Sequence, residues 1–294
     1  MDFSRTLGLD HSESIPRMPS WVSEGSAESL EDMAFSSGAA LSHLHILMKW
    51  DDVPVGLIRA RLTLRAAEAC VRFSGRPERA GELRDAVHFL RPGDLPGPGG
   101  EVYLSWLRAV ERTVSVKSLD RALPAVEAGW IAECLDAGQG APVCRAAMVL
   151  EAAMMATARQ EGPALILADA ALAQALGLKY LTPLLAAGLK RADLSKRGEE
   201  LRLACHRAVV TSAVASARLA ADLTRRVTHL KAVAPKLRAK GAGDAVEMFL
   251  TRDAVAPSAL PLQDRAARRL CDRLVDLGAV RELTGRDTFR LYGP

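Results

Sequence analysis

Residues 199–232 form the longest helical pattern in the sequence. Apolar residues mark one side at intervals of mostly three, four or seven, from Leu203 through Val214 to Leu230, which is the spacing of one helix face. A helix of this length would run for about 50 Å, and helices that long often bridge domains or join a partner subunit. Pro235 ends or kinks it. The pattern predicts a long connecting helix over residues 191–241.

The remaining chain is also helical in composition. Hydrophobic residues make up 49% of it and aromatic residues only 4%, while alanine, leucine and arginine, which favour helices, dominate. Before residue 279 we find no sustained alternation of apolar and polar residues, so we expect almost no strand there. The stretch 148–155 is apolar nearly all round, which predicts a buried helix. Helices are predicted at 27–50, 55–73, 77–90, 101–112, 119–136, 142–160, 163–176 and 181–189.

Three breaks in this pattern predict the domain organisation. Residues 1–25 are rich in serine and proline and predict a mobile arm, anchored at Trp21. Residues 91–100 hold three prolines and four glycines, which predict a surface loop, a hinge or a recognition loop. Gly241 and Gly243 mark the last boundary. The predicted parts are the arm, a helical bundle over 26–190, the connecting helix over 191–241 and a C-terminal domain over 242–294.

The C-terminal fifty residues predict a winged helix-turn-helix. A first helix over 245–251 and a short second helix or turn over 257–260 precede a third helix, for which Asp264 is a good N-cap. A two-stranded hairpin follows, with Gly285 at its turn. Its apolar residues, expected to pack against the third helix, are Val280, Leu283, Phe289 and Leu291. The predicted fold class is therefore all-α (mainly α): an N-terminal bundle, a long helix, and a winged helix-turn-helix with a short β-hairpin.

Arginines stand on the outer side of the third helix. Its apolar stripe consists of Ala267, Leu270, Cys271, Leu274 and Leu277. Arginine in a first turn opposes the helix dipole, a choice that makes more sense if phosphate or a base edge lies nearby. The candidate DNA-binding residues are Arg265, Arg268, Arg269, Arg273, Arg286 and Arg290. Ordinary ion pairs of Arg268 or Arg269 with Asp272 are the alternative explanation.

The charge distribution does not decide whether the partner is DNA or a protein. From Lys190 to Lys240 there are thirteen basic and four acidic residues, whereas 244–294 balances eight against eight. The basic stretch indicates either a footprint for phosphate or a solvated helix face. The neutral C-terminal part argues against tight nonspecific binding to DNA.

Two resemblances support the fold. The residues Arg268-Arg269-Leu270, Leu274 to Arg286 and Phe289-Arg290-Leu291-Tyr292 resemble the winged helix that ends many Fic-family proteins. The Fic catalytic motif, His-Pro-Phe followed by Gly-Asn-Gly-Arg, is absent from the sequence, so no transferase activity is implied.

A second resemblance covers most of the chain. It rests on the stretches 59–67, 83–86, 91–94, 96–98, 234–241 and the C-terminal hairpin. In these stretches the chain resembles domain of unknown function 1403, an uncharacterised family of alphaproteobacteria that is often plasmid-borne. The resemblance implies no activity, substrate or site.

No pattern for catalysis or metal binding emerges. The five cysteines are scattered and never in C-x-x-C spacing, which favours a reducing compartment over disulfides or zinc. His43 and His45 diverge on a helix and cannot share a metal, and adjacent Cys205 and His206 diverge likewise. Phosphate-loop, dinucleotide and nucleophile-elbow motifs are absent. We therefore expect no cofactor, no metal and no enzyme; a pocket near the Pro/Gly loop with His88, Asp85 and Asp94 is a minor alternative.

The first hypothesis is a cytoplasmic DNA-binding regulatory protein whose bundle senses a ligand or dimerises. The second is an interaction scaffold whose winged helix docks a protein and never meets DNA. An enzyme that uses a central helical pocket is the third. The candidate partners are double-stranded DNA, a second copy of the chain or another protein. The N-terminus lacks a signal pattern and the longest apolar run, 164–178, is too short to span a bilayer, so no membrane partner is expected.

Overall fold

The structure, a computed structural model, describes residues 15–23, 29–137, 140–156, 161–238, 240–285 and 288–294. The fold is mainly α, as predicted. The α-helices are α1 Ser20–Ser23, α2 Leu30–Leu47, α3 Val55–Phe73, α4 Ala80–His88, α5 Gly97–Glu111, α6 Val116–Ala122, α7 Ala128–Ala137, α8 Pro142–Ala156, α9 Glu161–Ala175, α10 Leu185–Gly188, α11 Gly198–Val233, α12 Ala242–Thr251 and α13 Asp264–Asp276. Short 3-10 turns lie at Arg191–Ser195, Ala234–Lys236 and Pro257–Ala259, and the strands are β1 Arg281–Glu282 and β2 Tyr292–Gly293.

Helix α9 is the centre of the bundle. Every residue from Ala164 to Ala173 is buried, and α8 packs along it. The prediction that 148–155 is buried all round is wrong, because Met148 is 44% and Met155 72% exposed. Helix α8 lies at the outside of the bundle, where one face meets α9 and the opposite face meets solvent.

The long helix is confirmed over the pattern at 199–232 and is packed along its length, but the predicted bounds 191–241 are too wide, because Arg191–Ser195 and Ala234–Lys236 are separate 3-10 turns. In chain order α11 contributes to three apolar clusters: its first part to the main core, Ala217 to Val227 to a cluster with α2 and α3, and Leu230 and Val233 to the C-terminal core. Seven of its fifteen buried residues are alanine or serine, and α10 approaches its backbone closely at Gly188. Helix α11 is therefore the spine against which α2 and α8 pack.

Several predicted helix bounds are too wide, and two of the differences from the prediction lie at prolines. The predicted loop 91–100 ends early, because Gly97 to Gly100 form the first turn of α5 with Pro98 inside it. The first turn of a helix tolerates proline, since its N–H groups have no acceptor within the helix. The predicted helix 119–136 is instead divided into α6 and α7, with Pro124 between them.

The N-terminal arm is described only over residues 15–23. Val22 is buried in the main core, and the Trp21 ring stacks on Phe35 with 5.6 Å between the ring centroids. This part of the predicted arm therefore packs on the bundle.

The C-terminal part has its own small core around Phe249, Leu270, Leu274 and Tyr292. Strand β1 pairs antiparallel with β2. Tyr292 also pairs with Val255: the N–H of Val255 donates to the Tyr292 carbonyl oxygen at 2.8 Å, and the Tyr292 N–H donates back at 2.9 Å. The segment after α12, β2 and β1 thus lie side by side in that order.

A buried ion-pair network attaches this part to the bundle. The carboxylate of Asp253 is paired with Arg61 of α3, and its second oxygen lies 3.3 Å from Nε of Arg84 of α4. Arg61 also donates from Nη2 to the carbonyl oxygen of Pro294 at 3.2 Å. All of these side chains are largely removed from water, so the network links the C-terminal part to α3 and α4 in the interior.

Candidate functional site

Helix α13 presents a clear division between apolar and charged faces. Ala267, Leu270, Cys271 and Leu274 are buried in the C-terminal core, as predicted. The N-cap is Gln263, one residue before the predicted Asp264, which becomes the first helical residue. A carboxylate at this position interacts favourably with the positive end of the helix dipole. Gly278, with φ of 66°, follows the helix and lets the chain turn into β1.

The four predicted arginines of α13 all reach solvent. Arg265, Arg269 and Arg273 follow one another at four-residue spacing, and Arg268 lies beside them towards the hairpin. Within the part of the chain that the structure describes, none of the four forms an ion pair or a side-chain hydrogen bond. Their guanidinium groups are therefore available to a partner.

Aspartates share this surface. Asp264, Asp272 and Asp276 are exposed on the same helix, so α13 carries four arginines against three aspartates. Asp264 and Asp272 line the same groove as Arg268. The helix therefore offers alternating charges, which favour an ordered set of contacts over a general attraction to polyanions.

The hairpin arginines differ from those of the helix. Arg286 lies outside the described residues. Arg290 has its Nε 3.7 Å from the Glu282 carboxylate on the opposite strand, and its side chain also hydrogen-bonds Tyr292. Arg290 is thus engaged within the hairpin.

A groove of about 920 Å³ separates α13 from the bundle. Its walls are α13, the turn after Val255, the hairpin from Thr288 to Tyr292, and the bundle segment His88–Arg91. Burial lowers the pKa of His88; Asp253 opposes this shift and Arg84 adds to it.

The hairpin residue Phe289 was predicted to pack on α13, and that prediction is wrong. Phe289 is 62% exposed, has a φ of 57°, and meets the edge of the Phe89 ring with 5.8 Å between ring centroids. The left-handed backbone turns its side chain outward, while Val280 and Leu291 fill the inner positions.

A basic cluster near the base of the hairpin was missed by the sequence reasoning. Burial lowers the pKa of Arg281, and the neighbouring Arg226 of α11 lowers it further. Arg61 and Arg84 belong to the same cluster, which surrounds Asp253 and Asp222. Asp253 pairs with Arg61 and Arg84, Asp222 pairs with Arg225 and Arg226, and Arg281 is close enough to interact with both carboxylates. Only the folded chain brings α11 beside β1, so no spacing in the sequence signals this cluster.

The residues considered for catalysis are not assembled into one site. His206 Nδ1 lies 2.7 Å from Ser37 Oγ, and its Nε2 lies 3.9 Å from Cys144 Sγ. Burial raises the pKa of Cys205 strongly. His88 lines the groove without Asp85 or Asp94, and the Asp94 carboxylate accepts the Arg91 N–H at 2.9 Å. Among the described residues, no three histidine, cysteine or acidic side chains are grouped as metal ligands.

Comparison with known proteins identifies the family. The model of the family "Protein of unknown function (DUF1403)" matches residues 6–294, so the chain belongs to this family. None of the curated proteins matches the sequence. In the described part of the chain, no helix combines the length and apolar character needed to cross a bilayer.

Proposed function

We propose that this member of the DUF1403 family is a DNA-binding regulatory protein that holds duplex DNA with a C-terminal winged helix. The observation that carries the proposal is the row of exposed arginines on α13 that have no partner within the described residues. The order of elements supports it: α12, the Val255 bridge, a 3-10 turn, α13, β1 and β2, with β2 between the other two strand positions. A winged helix has this order, although its second helix is here reduced to the turn Pro257–Ala259.

Arginine can donate hydrogen bonds both to the edge of a base and to a phosphate of the DNA backbone. In this proposal α13 enters the major groove, which admits one helix, and Arg265 or Arg269 donates paired hydrogen bonds to guanine or phosphate. Arg281 and Arg226, close together at the base of the hairpin, are placed to meet the neighbouring backbone. The three aspartates of α13 reduce nonspecific attraction, so binding depends on sequence-specific contacts. Such a role fits a cytoplasmic protein.

The test measures binding of fluorescent duplexes at several salt concentrations. A randomised 30-base-pair pool first provides selected sequences, and anisotropy then gives their affinity for the wild type and two quadruple variants. The test variant replaces the α13 arginines by alanine. The control variant removes the same charge from exposed arginines of the bundle. The control positions are Arg65, Arg108, Arg112 and Arg121.

We expect the α13 variant to lose about tenfold or more in affinity. Its salt dependence should also fall, by about 0.9 in the logarithmic slope for each phosphate contact removed. The control variant should bind within about twofold of the wild type. Failure of the wild type to bind any duplex at 50 mM salt, or equal losses in both variants, would overturn the proposal.

A second candidate is protein docking through the same surface, the scaffold hypothesis. Two observations favour it. Aspartates are interspersed with the arginines of α13. The bundle segment that contains Phe89 forms the wall of the groove opposite Arg268, which leaves less room for a DNA duplex. The partner would be a second copy of the chain or another protein. If the same α13 variant changes the mass measured by light scattering while no duplex binds, docking replaces DNA binding.

A further inference from the structure

A second cavity lies between helices of the bundle, away from α13, and is partly open to solvent. Its volume is about 680 Å³, which is within the range of small-molecule pockets. Helix α2 forms one wall, and the start of α3, the start of α8 and the chain between α9 and α10 form the others. Leu41, Leu44, Val143, Leu178 and Leu184 give it an apolar interior.

The charged residues of this cavity are all of one sign. Lys49, Arg59 and Lys179 line it together with His45 and His206, and no aspartate or glutamate is among the lining residues that the structure describes. The neighbouring carboxylate that usually accompanies a half-buried cation is therefore absent from these walls. An anionic ligand would supply that charge.

Arg59 and Lys179 converge on one aromatic ring. The Arg59 Cζ lies 4.5 Å from the centroid of the Tyr180 ring, and the Lys179 Nζ lies 5.3 Å from it. The Nε of Arg59 is buried and has no hydrogen-bond acceptor among the described residues. Burial lowers the pKa of Arg59, and Tyr180 opposes that shift. The aromatic face holds the guanidinium in place, and Nε remains a donor without an acceptor among the described residues.

His206 of α11 adds a polar side chain to the cavity wall. Its side chain is buried, and its ring is fixed by the Ser37 hydroxyl at 2.7 Å from Nδ1. Burial lowers the pKa of His206, and the nearby Arg202 adds to this shift. The lysine and arginine side chains that line the cavity are Lys49, Lys179 and Arg59.

We propose that this cavity binds a small amphiphilic carboxylate. Its apolar body lies among the leucines of α2 and the α9–α10 segment, and its carboxylate accepts hydrogen bonds from Arg59 with Lys179 as a second counter-charge. Apolar walls give affinity and the two cations select the head group. This inference is independent of the proposed DNA binding, because it concerns a different surface and different residues.

Matched ligands separate the role of the charge from that of the apolar body. Calorimetry on the full chain compares decanoate with 1-decanol and decylammonium, and 2-naphthoate with 2-naphthylmethanol. We expect at least one carboxylate to bind about tenfold or more tightly than its alcohol, and decylammonium to bind no better than decanol. Equal binding of acid and alcohol, or no binding by either acid, would overturn the proposal.

A second experiment compares variants of the protein, two of them on α3. Arg59→Gln should weaken the carboxylate by about tenfold and leave the alcohol nearly unchanged. Arg65→Gln, an exposed position on the same helix, should change neither. Circular dichroism checks folding, and the exposed Lys179→Met gives an independent reading if Arg59→Gln fails to fold. Equal losses for acid and alcohol, or an equal effect of Arg65→Gln, would contradict a carboxylate site.

Discussion

The cavity inside the bundle and the groove beside α13 are both large, but their walls differ. The bundle cavity has apolar walls and cations without acids, whereas the groove mixes Arg268 and Arg290 with Asp264 and Asp272. Apolar walls with one sign of charge suit a small ion with an apolar body, because the walls contact the body and the cations pair with its head group. A groove with interspersed positive and negative charges suits a macromolecule whose own charges match them position by position. The two regions are therefore suited to different classes of ligand.

Each region also depends on a buried carboxylate, and the two are held differently. In the bundle, Asp169 of α9 accepts the N–H groups of Leu184, Leu185 and Ala186 at 3.0, 2.8 and 3.3 Å. Asp253 is instead paired with two arginines. Asp169 shapes a local turn at the wall of the cavity, whereas Asp253 joins two distant parts of the chain. Variants at these positions test whether that difference is real.

Asp253→Ala has the largest expected effect. Arg61 and Arg84 would remain largely buried without their counter-charge, which lowers the free energy of unfolding by about 3–5 kcal/mol. Urea unfolding followed by circular dichroism measures it, with Asp244→Ala, an exposed acid on α12, as the control. A loss below about 1 kcal/mol would mean that the C-terminal part does not need this network.

Asp169→Ala should cost somewhat less. Three backbone N–H groups would lose their acceptor inside the protein, which lowers the free energy of unfolding by about 3 kcal/mol. The same urea experiment measures it. Since Leu184 lines the cavity, decanoate binding should weaken as well, while binding at α13 should not change. Equal changes at both sites would contradict the separation of the two regions.

Gly188→Ala tests how rigid the cavity side of the bundle is. An added Cβ would overlap the carbonyl oxygen of Ala208 and the Ser212 hydroxyl, where α10 lies against α11. We expect a loss of about 2 kcal/mol, the usual size of overpacking in a close contact. Gly129→Ala, where a Cβ meets open space, is the control and should be neutral or slightly stabilising. Thermal unfolding distinguishes them, and equal melting temperatures would show that α10 shifts freely.

The smallest effect is a dependence on pH within the bundle. Burial raises the pKa of Asp169 from 3.8 to about 7, against the opposing effect of its backbone hydrogen bonds. The folded chain then holds this proton more tightly than the unfolded chain, so the stabilisation is complete below about pH 4 and is lost as the pH rises towards 7. Between pH 5 and pH 6 this group alone should lower the free energy of unfolding by about 1 kcal/mol.

Asp169→Asn removes that titration and should flatten the curve over the same interval. The difference between wild type and variant isolates Asp169 from the other acids of the chain. Parallel curves for the two proteins would contradict a raised pKa.

Local patterns sufficed to predict much of the fold. The spacing of apolar residues gave α3 at its observed bounds and α11 to within one residue at each end. The apolar stripe of α13 likewise predicted which of its side chains are buried, and hence that its arginines face solvent. These features depend on neighbours within a few turns of one helix.

The features that were missed depend on contacts between distant residues. Arg61 meets Asp253 only after the C-terminal part folds against α3, and Arg281 meets Arg226 only because α11 passes the hairpin. Phe289 was expected to pack inward as one of the apolar hairpin residues, but it has a positive φ and is exposed. The bundle cavity draws Arg59 and Lys179 from positions 120 residues apart in the sequence. The periodicity of apolar residues carries no information on contacts between residues that are distant in the sequence.

The shared carboxylate at Asp253 limits how relatives can recombine. Its two arginines come from α3 and α4, so a tail exchanged between homologues brings the acid while the recipient must already hold both bases. A hybrid that lacks either side inherits an uncompensated charge in its interior. A crossover between Arg61 and Asp253 would therefore separate the acid from at least one of its bases, whereas one outside that interval would keep all three together.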